Sequence, residues 1–198
     1  MKKAINFGLV ALMVFVIGAC GGEKSVKIGN QVWMSKNLND PSKGGKCYED
    51  KPENCEKYGR LYTWDEAMKA CPNGWRVPNN EEWEALVSSA GGTDTSGGVI
   101  KASNVGFPAG GKLKAKSGWN NNGNGTDDFG FSALPGGRGS TNFGIYSSIG
   151  EHGYWWSSND MGEEGPYGAF SRNMFYANEG VFWGNDSKDD LLSVRCVK

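Results

Sequence analysis

Four cysteines constrain the fold of this 198-residue chain more than any other feature: Cys47, Cys55, Cys71 and Cys196. They follow an export signal, and an even number of cysteines in an exported chain predicts disulfides. Three pairings are possible. Because Cys47 and Cys55 are eight residues apart in a polar stretch, a local bridge is favoured, and Cys71 is then left to pair with Cys196. By loop-closure entropy the long loop would contribute roughly 5 kcal/mol to stability and the short loop roughly 2.5 kcal/mol.

A zinc site is the alternative use of these cysteines. Structural zinc sites commonly contain a CxxC pair, and this sequence has none. The compartments to which exported proteins are sent also favour oxidation of thiols. We therefore predict two disulfides.

Residues 1–19 are typical of a bacterial lipoprotein signal peptide. Lys2 and Lys3 precede an apolar stretch, residues 4–16, that is too short to span a membrane. Small residues then lead to Cys20, as they do before a lipidated cysteine. We therefore expect diacylation of Cys20 and a membrane partner through this lipid anchor. An ordinary secretory signal followed by a chance cysteine is the alternative.

The residues after the lipidation site predict the location and the domain organisation. Two glycines stand where an aspartate would indicate retention in the inner membrane, so we expect the cell outer membrane, with exposure at the cell surface as one orientation. Residues 20–27 would form a lipidated tether, and residues 28–198 are long enough for one domain with a core. Without residues 1–19 the chain has 19 basic and 22 acidic residues, a net charge of −3, which does not suit a nucleic-acid partner.

Two short helices are predicted on either side of an Asn-Gly loop. Thr63 and Glu66 form a capping-box pattern, and apolar residues follow at helical spacing until Pro72 ends the pattern. A second helix is expected after Pro78, with Asn79 or Asn80 as its cap. Its buried side would carry Trp83, Leu86 and Val87.

Strand patterns surround a long region with almost no periodicity. Residues 27–34 predict a first hairpin, and residues 91–139, which are rich in Gly, Asn, Ser and Thr, predict a long irregular loop region. Loops of that length in a compact domain are usually functional. The later strands are expected at residues 153–158, 169–177, 181–183 and 191–197, with a hairpin turn at Asn178-Glu179-Gly180.

Several short motifs occur in order along the chain from about Val26 to Lys198. They are IGNQVWM with KNL, YGRLYTW, CPNGWRVP with EW, GTDDFGFSALPGG, YWWSS and SVRCV. Together they resemble the Fibrobacter succinogenes major paralogous domain (FISUMP domain) of bacterial envelope lipoproteins. The resemblance implies an α+β fold of the C-type lectin or formylglycine-generating-enzyme type, with two short helices packed on antiparallel sheets and a long irregular loop region. In such folds a helix cysteine is bonded to the last strand, and Cys71 and Cys196 occupy those places.

Four tryptophans are the predicted ligand-binding residues. Trp155 and Trp156 could stack on sugar rings, because an aromatic face pairs well with the CH-rich face of a pyranose. In a strand they would point to opposite sides, so at least one is expected in the core. Trp119 and Trp183 adjoin loop residues and are expected to be more exposed.

Calcium is the one cofactor that the sequence leaves open. Oxygen-bearing side chains cluster around glycine turns in the loop region and again near the end of the chain, as hard-cation loops require. The candidate ligands are Asn124, Asp127, Asp128, Asn185 and Asp186. The spacing does not fit an EF-hand, and solvated Asx turns are the alternative interpretation.

Binding is a better prediction than catalysis. The sole histidine, His152, lies in a predicted turn with no nucleophile fixed near it, and each cysteine has another assignment. We therefore expect a lipid-anchored envelope protein, not an enzyme, whose lectin-like domain binds an external ligand such as a polysaccharide. The alternative is a structural or assembly module that binds cell-surface proteins and no small ligand.

Overall fold

A computed structural model describes residues 24–93 and 106–198. The predicted signal peptide, Cys20 and most of the tether lie outside the described residues. The α-helices are α1 (Pro52–Tyr58), α2 (Trp64–Ala70), α3 (Asn80–Ser89) and α4 (Ala109–Leu113). The strands are β1 (Ser25–Ile28), β2 (Gln31–Met34), β3 (Leu61–Tyr62), β4 (Gly136–Ser140), β5 (Ile145–Ile149), β6 (His152–Asp160), β7 (Gly168–Phe175), β8 (Phe182–Ser187) and β9 (Asp190–Ser193). The predicted α+β class is confirmed, with more sheet than helix.

The larger sheet has seven strands among the described residues, and β6, β7 and β8 form its antiparallel body. β9 lies in the middle, where it pairs antiparallel with β3 and β4 and parallel with β6. β5 folds back on β4 as a hairpin. Trp155 in β6 lies opposite Arg172 in β7, which lies opposite Trp183 in β8. These three side chains therefore form one row on one face of the sheet.

The predicted first hairpin is confirmed and forms a second, smaller sheet. β1 and β2 pair antiparallel around a turn at Gly29 and Asn30. β1 begins at Ser25, inside the segment assigned to the tether, because this strand pairs along its whole length with β2. Val197 lies opposite both Trp33 and Arg76, so the last residues of the chain join this hairpin to the segment after α2.

Both predicted helices form as their caps require. Thr63 caps α2 and Asn79 caps α3, and the backbone N–H of each cap residue donates in return to a glutamate in the first turn. The predicted buried side of α3 is also confirmed. None of the helices in the described part of the chain is long and apolar enough to cross a membrane.

The hydrophobic core lies on both faces of β6. Trp155 belongs to one buried cluster, together with Trp33 of β2 and Trp83 of α3. Trp156 belongs to a second cluster with Tyr62 and the buried side of α2. The two adjacent tryptophans thus point to opposite sides of the strand, as the sequence predicts, and each enters a different half of the core.

Both predicted disulfides form. Cys47 pairs with Cys55, and Cys71 pairs with Cys196 across a sequence separation of 125 residues. Cys71 is the residue at which α2 ends, and Cys196 is fully buried beside the second core cluster. The longer bridge therefore joins the end of a helix to the end of the chain inside the core.

A buried polar cluster, which we call the Asn37–Arg195 hub, links the hairpin to the sheet. The amide oxygen of Asn37 accepts hydrogen bonds from Trp155 Nε1 at 2.8 Å and from the Arg195 guanidinium at 2.7 and 3.1 Å. Arg195 also donates to the backbone oxygens of Met34 and Phe131. Burial lowers the pKa of Arg195 to about 9, so it still carries its charge at neutral pH. The hub therefore satisfies every buried donor that it contains.

Three elements depart from the sequence analysis. α1 begins between Cys47 and Cys55 and continues past Cys55. Pro52 occupies its first turn, and its seven residues are too few to show an apolar period. α4 and the start of β4 lie in the region, residues 91–139, that is predicted to be a long irregular loop with almost no periodicity. Residues 94–105 of this region lie outside the described residues. β4 reads GGRGS, a sequence with low intrinsic strand preference, and its pairing with β5 and β9 is what makes it a strand.

Candidate functional site: the loop cleft

A cleft of about 630 Å³, here called the loop cleft, opens where three segments of the chain meet. One wall consists of α4 with Phe107 and Pro108 before it. The second wall is the Gly/Asn-rich segment 121–128, and the third is the connection 176–179 between β7 and β8. The predicted irregular region and the predicted hairpin turn therefore meet at one surface.

Lys114 fixes the third wall from beneath. Its ammonium group donates to the backbone oxygens of Phe175 at 3.1 Å and Asn178 at 2.9 Å, and it lies 5.1 Å from the centre of the Trp119 ring. Only 2% of the residue is exposed. Burial lowers the pKa of Lys114, and the nearby carboxylate of Glu179 opposes this effect. This lysine is therefore a support of the cleft rather than a part of its accessible surface.

Glycines allow the second wall to lie directly against its neighbours. A Cβ atom added to Gly125 would overlap the backbone oxygens of Gly111 and Lys114, and one added to Gly123 would overlap the backbone of Tyr176. Because glycine has no Cβ atom, the backbone segments can form a short ladder of hydrogen bonds. In this ladder Gly125 N donates to the backbone oxygen of Ala115 at 3.0 Å. The glycine content of this segment is thus explained by backbone contact.

The accessible lining is mostly amide and aromatic. Asn121 and Asn122 both have left-handed backbones, with φ values of 49° and 60°, and both are exposed at the cleft. Asparagine tolerates this conformation better than most residues. Phe107 is 44% exposed, and Tyr176 is half-buried on the facing wall. Neutral hydrogen-bonding groups therefore lie beside apolar ring surface.

Charges of both signs lie around the cleft. Lys112 and the buried Lys114 supply two positive groups, whereas Asp128 and Glu179 supply two negative groups. No single sign dominates the lining, so its electrostatics favour an uncharged ligand over an anion or a cation.

The structure corrects the prediction for three of the four tryptophans. Trp155 and Trp156 are fully buried, and their indole nitrogens donate to Asn37 and to the backbone oxygen of Tyr62. Trp119 is only 4% exposed, contrary to expectation. Its indole nitrogen donates to a backbone oxygen at 3.0 Å, and the lysine under the cleft lies against its ring. These rings complete the core, so none of the three offers a face to a ligand.

Trp183 remains half-buried but does not line the loop cleft. The guanidinium carbon of Arg172 lies 3.4 Å from the centre of its ring. The ring centres of Phe170 and Trp183 lie 5.8 Å apart, with the two rings nearly perpendicular. Arg172 itself is almost fully buried. One face of Trp183 is therefore covered by the protein, and the predicted set of four aromatic contacts does not form a single site.

In three of the five predicted calcium ligands, the side-chain oxygens already accept hydrogen bonds from the protein. Asp127 accepts from the backbone and the hydroxyl of Ser132 at 2.7 and 2.6 Å, and its charge also acts on the buried Arg195. Asp186 pairs with Arg138 at 2.7 Å. The side chain of Asn124 accepts from the backbone of Trp119, while Asp128 and Asn185 are exposed. Across residues 24–93 and 106–198, no group of three His, Cys, Asp or Glu side chains is arranged to hold a metal ion.

A second surface lies on the β4–β5 hairpin. Phe143 and Ile145 are 77% and 60% exposed there, which is unusual for large apolar side chains. They line a cavity of about 440 Å³ together with Arg138 and Tyr154. Arg138 is held by ion pairs to Asp186 and Asp190. We call this surface the hairpin patch.

The model of the Fibrobacter succinogenes major domain matches residues 26–198, which is nearly the whole described chain. The chain belongs to this family. No curated protein and no solved structure matches the chain. The family assignment therefore supports the order of motifs found in the sequence, and it carries no ligand with it.

The family motifs describe the scaffold more than the cleft. The motif residues Trp33, Asn37, Trp155 and Arg195 are all buried and belong to the core or the hub. The residues that the sequence analysis did not assign to a site are Phe107 and Tyr176, together with Lys112, Lys114 and Glu179. The one signal that could have found the two aromatic residues is their position in the sequence. Phe107 lies within residues 91–139, the region expected to be functional, and Tyr176 directly precedes the predicted hairpin turn.

Proposed function

We propose that the mature protein is a lipid-anchored envelope protein that binds an external ligand in the loop cleft, and that the ligand is a glycan. The observation that carries this proposal is the lining of the cleft, in which asparagine amides lie beside the rings of Phe107 and Tyr176. Hydroxyl groups of a sugar can bond to amides, and its CH-rich faces can pack on aromatic rings. The absence of a dominant charge in this lining agrees with a neutral saccharide.

We further propose a C-type-lectin-like fold for the domain. Three features support it: the bridge from the end of α2 to Cys196, the packing of α2 and α3 on a largely antiparallel sheet, and a region with few regular elements between α4 and β4. In this arrangement the loop region carries the recognition surface, and the disulfide-linked core holds it in place.

The proposed lipid anchor rests on the signal sequence and on Cys20. Mass spectrometry of the N-terminal peptide from cells should find a diacylglyceryl group on Cys20, and cell fractionation should find the protein in the outer membrane. An unmodified mature N-terminus that begins before or after Cys20 would remove the anchor from the proposal.

Binding to polysaccharides tests the ligand directly. The mature chain with Cys20→Ser, which carries no lipid, should be retained by at least one member of a polysaccharide panel. Removing calcium with a chelator measures whether a cation takes part. Retention should fall at least tenfold for Tyr176→Ala and stay unchanged for Trp183→Ala, an equally half-buried aromatic residue outside the cleft. No retention with or without calcium, or equal loss in both variants, contradicts a glycan site at the cleft.

The alternative function, a structural or assembly module, is favoured by the hairpin patch. Phe143 and Ile145 expose apolar surface that a protein partner could bury. Proximity labelling on cells should then identify one dominant envelope protein, and Phe143→Ser with Ile145→Ser should abolish its labelling. If labelling is unaffected by this double substitution, the patch is not the assembly surface.

A further inference from the structure

A row of side chains crosses the small sheet next to the predicted tether. Lys27 lies opposite Val32 across the first hairpin, and Val32 exchanges two backbone hydrogen bonds, 3.2 and 3.0 Å, with Lys198. The next segment places Trp75 beside Lys198, whose ammonium group lies 4.6 Å from the Trp75 ring centre. Residues directly opposite one another share a face of a sheet. Two lysines, a valine and a tryptophan therefore form one continuous row.

The charge of this region is of one sign. Residues 24–39, 71–80 and 191–198 form the hairpin and the segments paired with it, and they contain six basic residues and no Asp or Glu. Two of the six are already used, since Arg195 is buried and Arg76 pairs with Glu82. Lys24, Lys27, Lys36 and Lys198 remain, all exposed and without an ion pair among the described residues. This is notable in a mature chain of net negative charge.

The aromatic residue in the row suits the same environment. Trp75 is half-buried, with one part of its ring in contact with the core and the ammonium of Lys198 near its face. Tryptophan and lysine together are typical of surfaces that meet the boundary between water and lipid, because the ring packs on acyl chains and the ammonium reaches the phosphates.

The length of the tether brings this surface to the membrane. From Cys20 to Lys24 the chain has four residues, which can span at most about 14 Å. Ser35 N donates to the backbone oxygen of Lys24 at 2.9 Å, so Lys24 is already fixed to the end of the hairpin. An acylated Cys20 would therefore hold the open end of the hairpin, which carries Lys24 and Lys36, within reach of the lipid head groups.

We propose that this surface, defined by Lys24, Lys27, Val32, Lys36, Trp75 and Lys198, docks on an anionic membrane through the phosphates of its lipid head groups. The inference rests on the proposed lipid anchor for its geometry, but it concerns a different surface from the loop cleft, since none of these residues lines the cleft. Docking would fix the orientation of the domain on the membrane, which a lipid attached at Cys20 alone would not do.

Vesicle binding without the lipid tests this surface separately from the anchor. The mature chain with Cys20→Ser should sediment with vesicles of phosphatidylethanolamine and phosphatidylglycerol, and much less with vesicles of phosphatidylcholine. Each lysine near an anionic surface contributes a factor of about five to partitioning. Lys27→Gln with Lys198→Gln should therefore lower the partition constant at least about tenfold, and added salt should weaken the binding of the parent chain.

The matched control is Lys43→Gln with Lys116→Gln, which removes two exposed lysines from other parts of the chain and should leave the partition constant within a factor of two. Equal losses for both pairs would show that only total charge matters and would overturn the proposal, as would equal binding to the two kinds of vesicle. Because this chain carries no lipid, failure here leaves acylation of Cys20 and polysaccharide retention to be judged by their own measurements.

Discussion

The Asn37–Arg195 hub and the loop cleft are built from opposite kinds of contact. In the hub, large polar side chains are fully buried, and their hydrogen bonds join segments more than 100 residues apart. In the cleft, backbone segments contact one another directly at glycines and form backbone hydrogen bonds. The side chains that face solvent there make few hydrogen bonds within the protein. One buried lysine, Lys114, is the main side-chain support there.

If the loop cleft binds the proposed ligand, this difference separates stability from recognition. A buried charged hub costs free energy unless every partner is in place, so its residues cannot change one at a time. The asparagines and aromatic residues at the rim of the cleft can be substituted while the core stays folded, provided that the glycines remain. A family built this way can keep one scaffold and vary its ligand.

The largest expected effect comes from the bridge that closes the core. Cys71→Ser with Cys196→Ser should lower the free energy of unfolding by about 4–5 kcal/mol, and Cys47→Ser with Cys55→Ser by about half as much, because the closed loops differ greatly in length. Denaturant unfolding of the two double variants measures this. Equal losses would show that the core bridge does not carry the scaffold.

The hub should be the next most sensitive region. Arg195→Met should cost about 3–4 kcal/mol, because the backbone oxygens of Met34 and Phe131 lose their guanidinium donor and Asn37 keeps only the bond from Trp155. The matched control is Arg76→Met, which removes an exposed pair with Glu82 and should cost less than about 1 kcal/mol. If both variants unfold at the same denaturant concentration, the hub contributes no more than a surface ion pair.

A glycine substitution should affect the cleft more than the fold. Gly125→Ala should destabilise the protein by about 2 kcal/mol and weaken ligand retention, since the new Cβ would displace the 121–128 wall. Gly136→Ala is the control, because this glycine lies outside the cleft and its Cβ would make only ordinary contacts, at 3.4 Å, with Tyr58 and Ser193. Thermal unfolding and polysaccharide retention of both variants check the prediction. Unchanged retention in Gly125→Ala would mean that this wall is not part of the binding site.

The smallest effect concerns pH and lies outside both regions. The ring of His152 is half-buried, and its Nδ1 lies 2.7 Å from the hydroxyl of Tyr154. Burial lowers the pKa of His152 from 6.5, so the unfolded chain binds this proton at a higher pH than the folded chain. The free energy of unfolding should therefore decrease as pH falls below about 6.5 and level off below the folded pKa. In His152→Gln this decrease between pH 7 and 5.5 should be absent.

The sequence predicts the scaffold much better than the site. Capping boxes, helical periodicity and cysteine spacing act locally, so α2, α3 and the first hairpin could be placed from the residues alone. β4 and α4 could not, because glycine-rich segments show no periodicity and become ordered only through contacts distant in sequence. Most of the tryptophans predicted to bind a ligand belong to the core instead. A large aromatic ring such as that of Trp155 contributes most to stability when it is buried.

Chemical-shift mapping by NMR during titration with an oligosaccharide from a retained polysaccharide tests the central claim most directly. We predict that the largest shifts occur at the backbone amides of residues 121–126 and 176–179, with small shifts at the hub and at the hairpin patch. Shifts centred on Phe143 and Ile145, or on the row that contains Trp183, would contradict the assignment of recognition to the loop cleft.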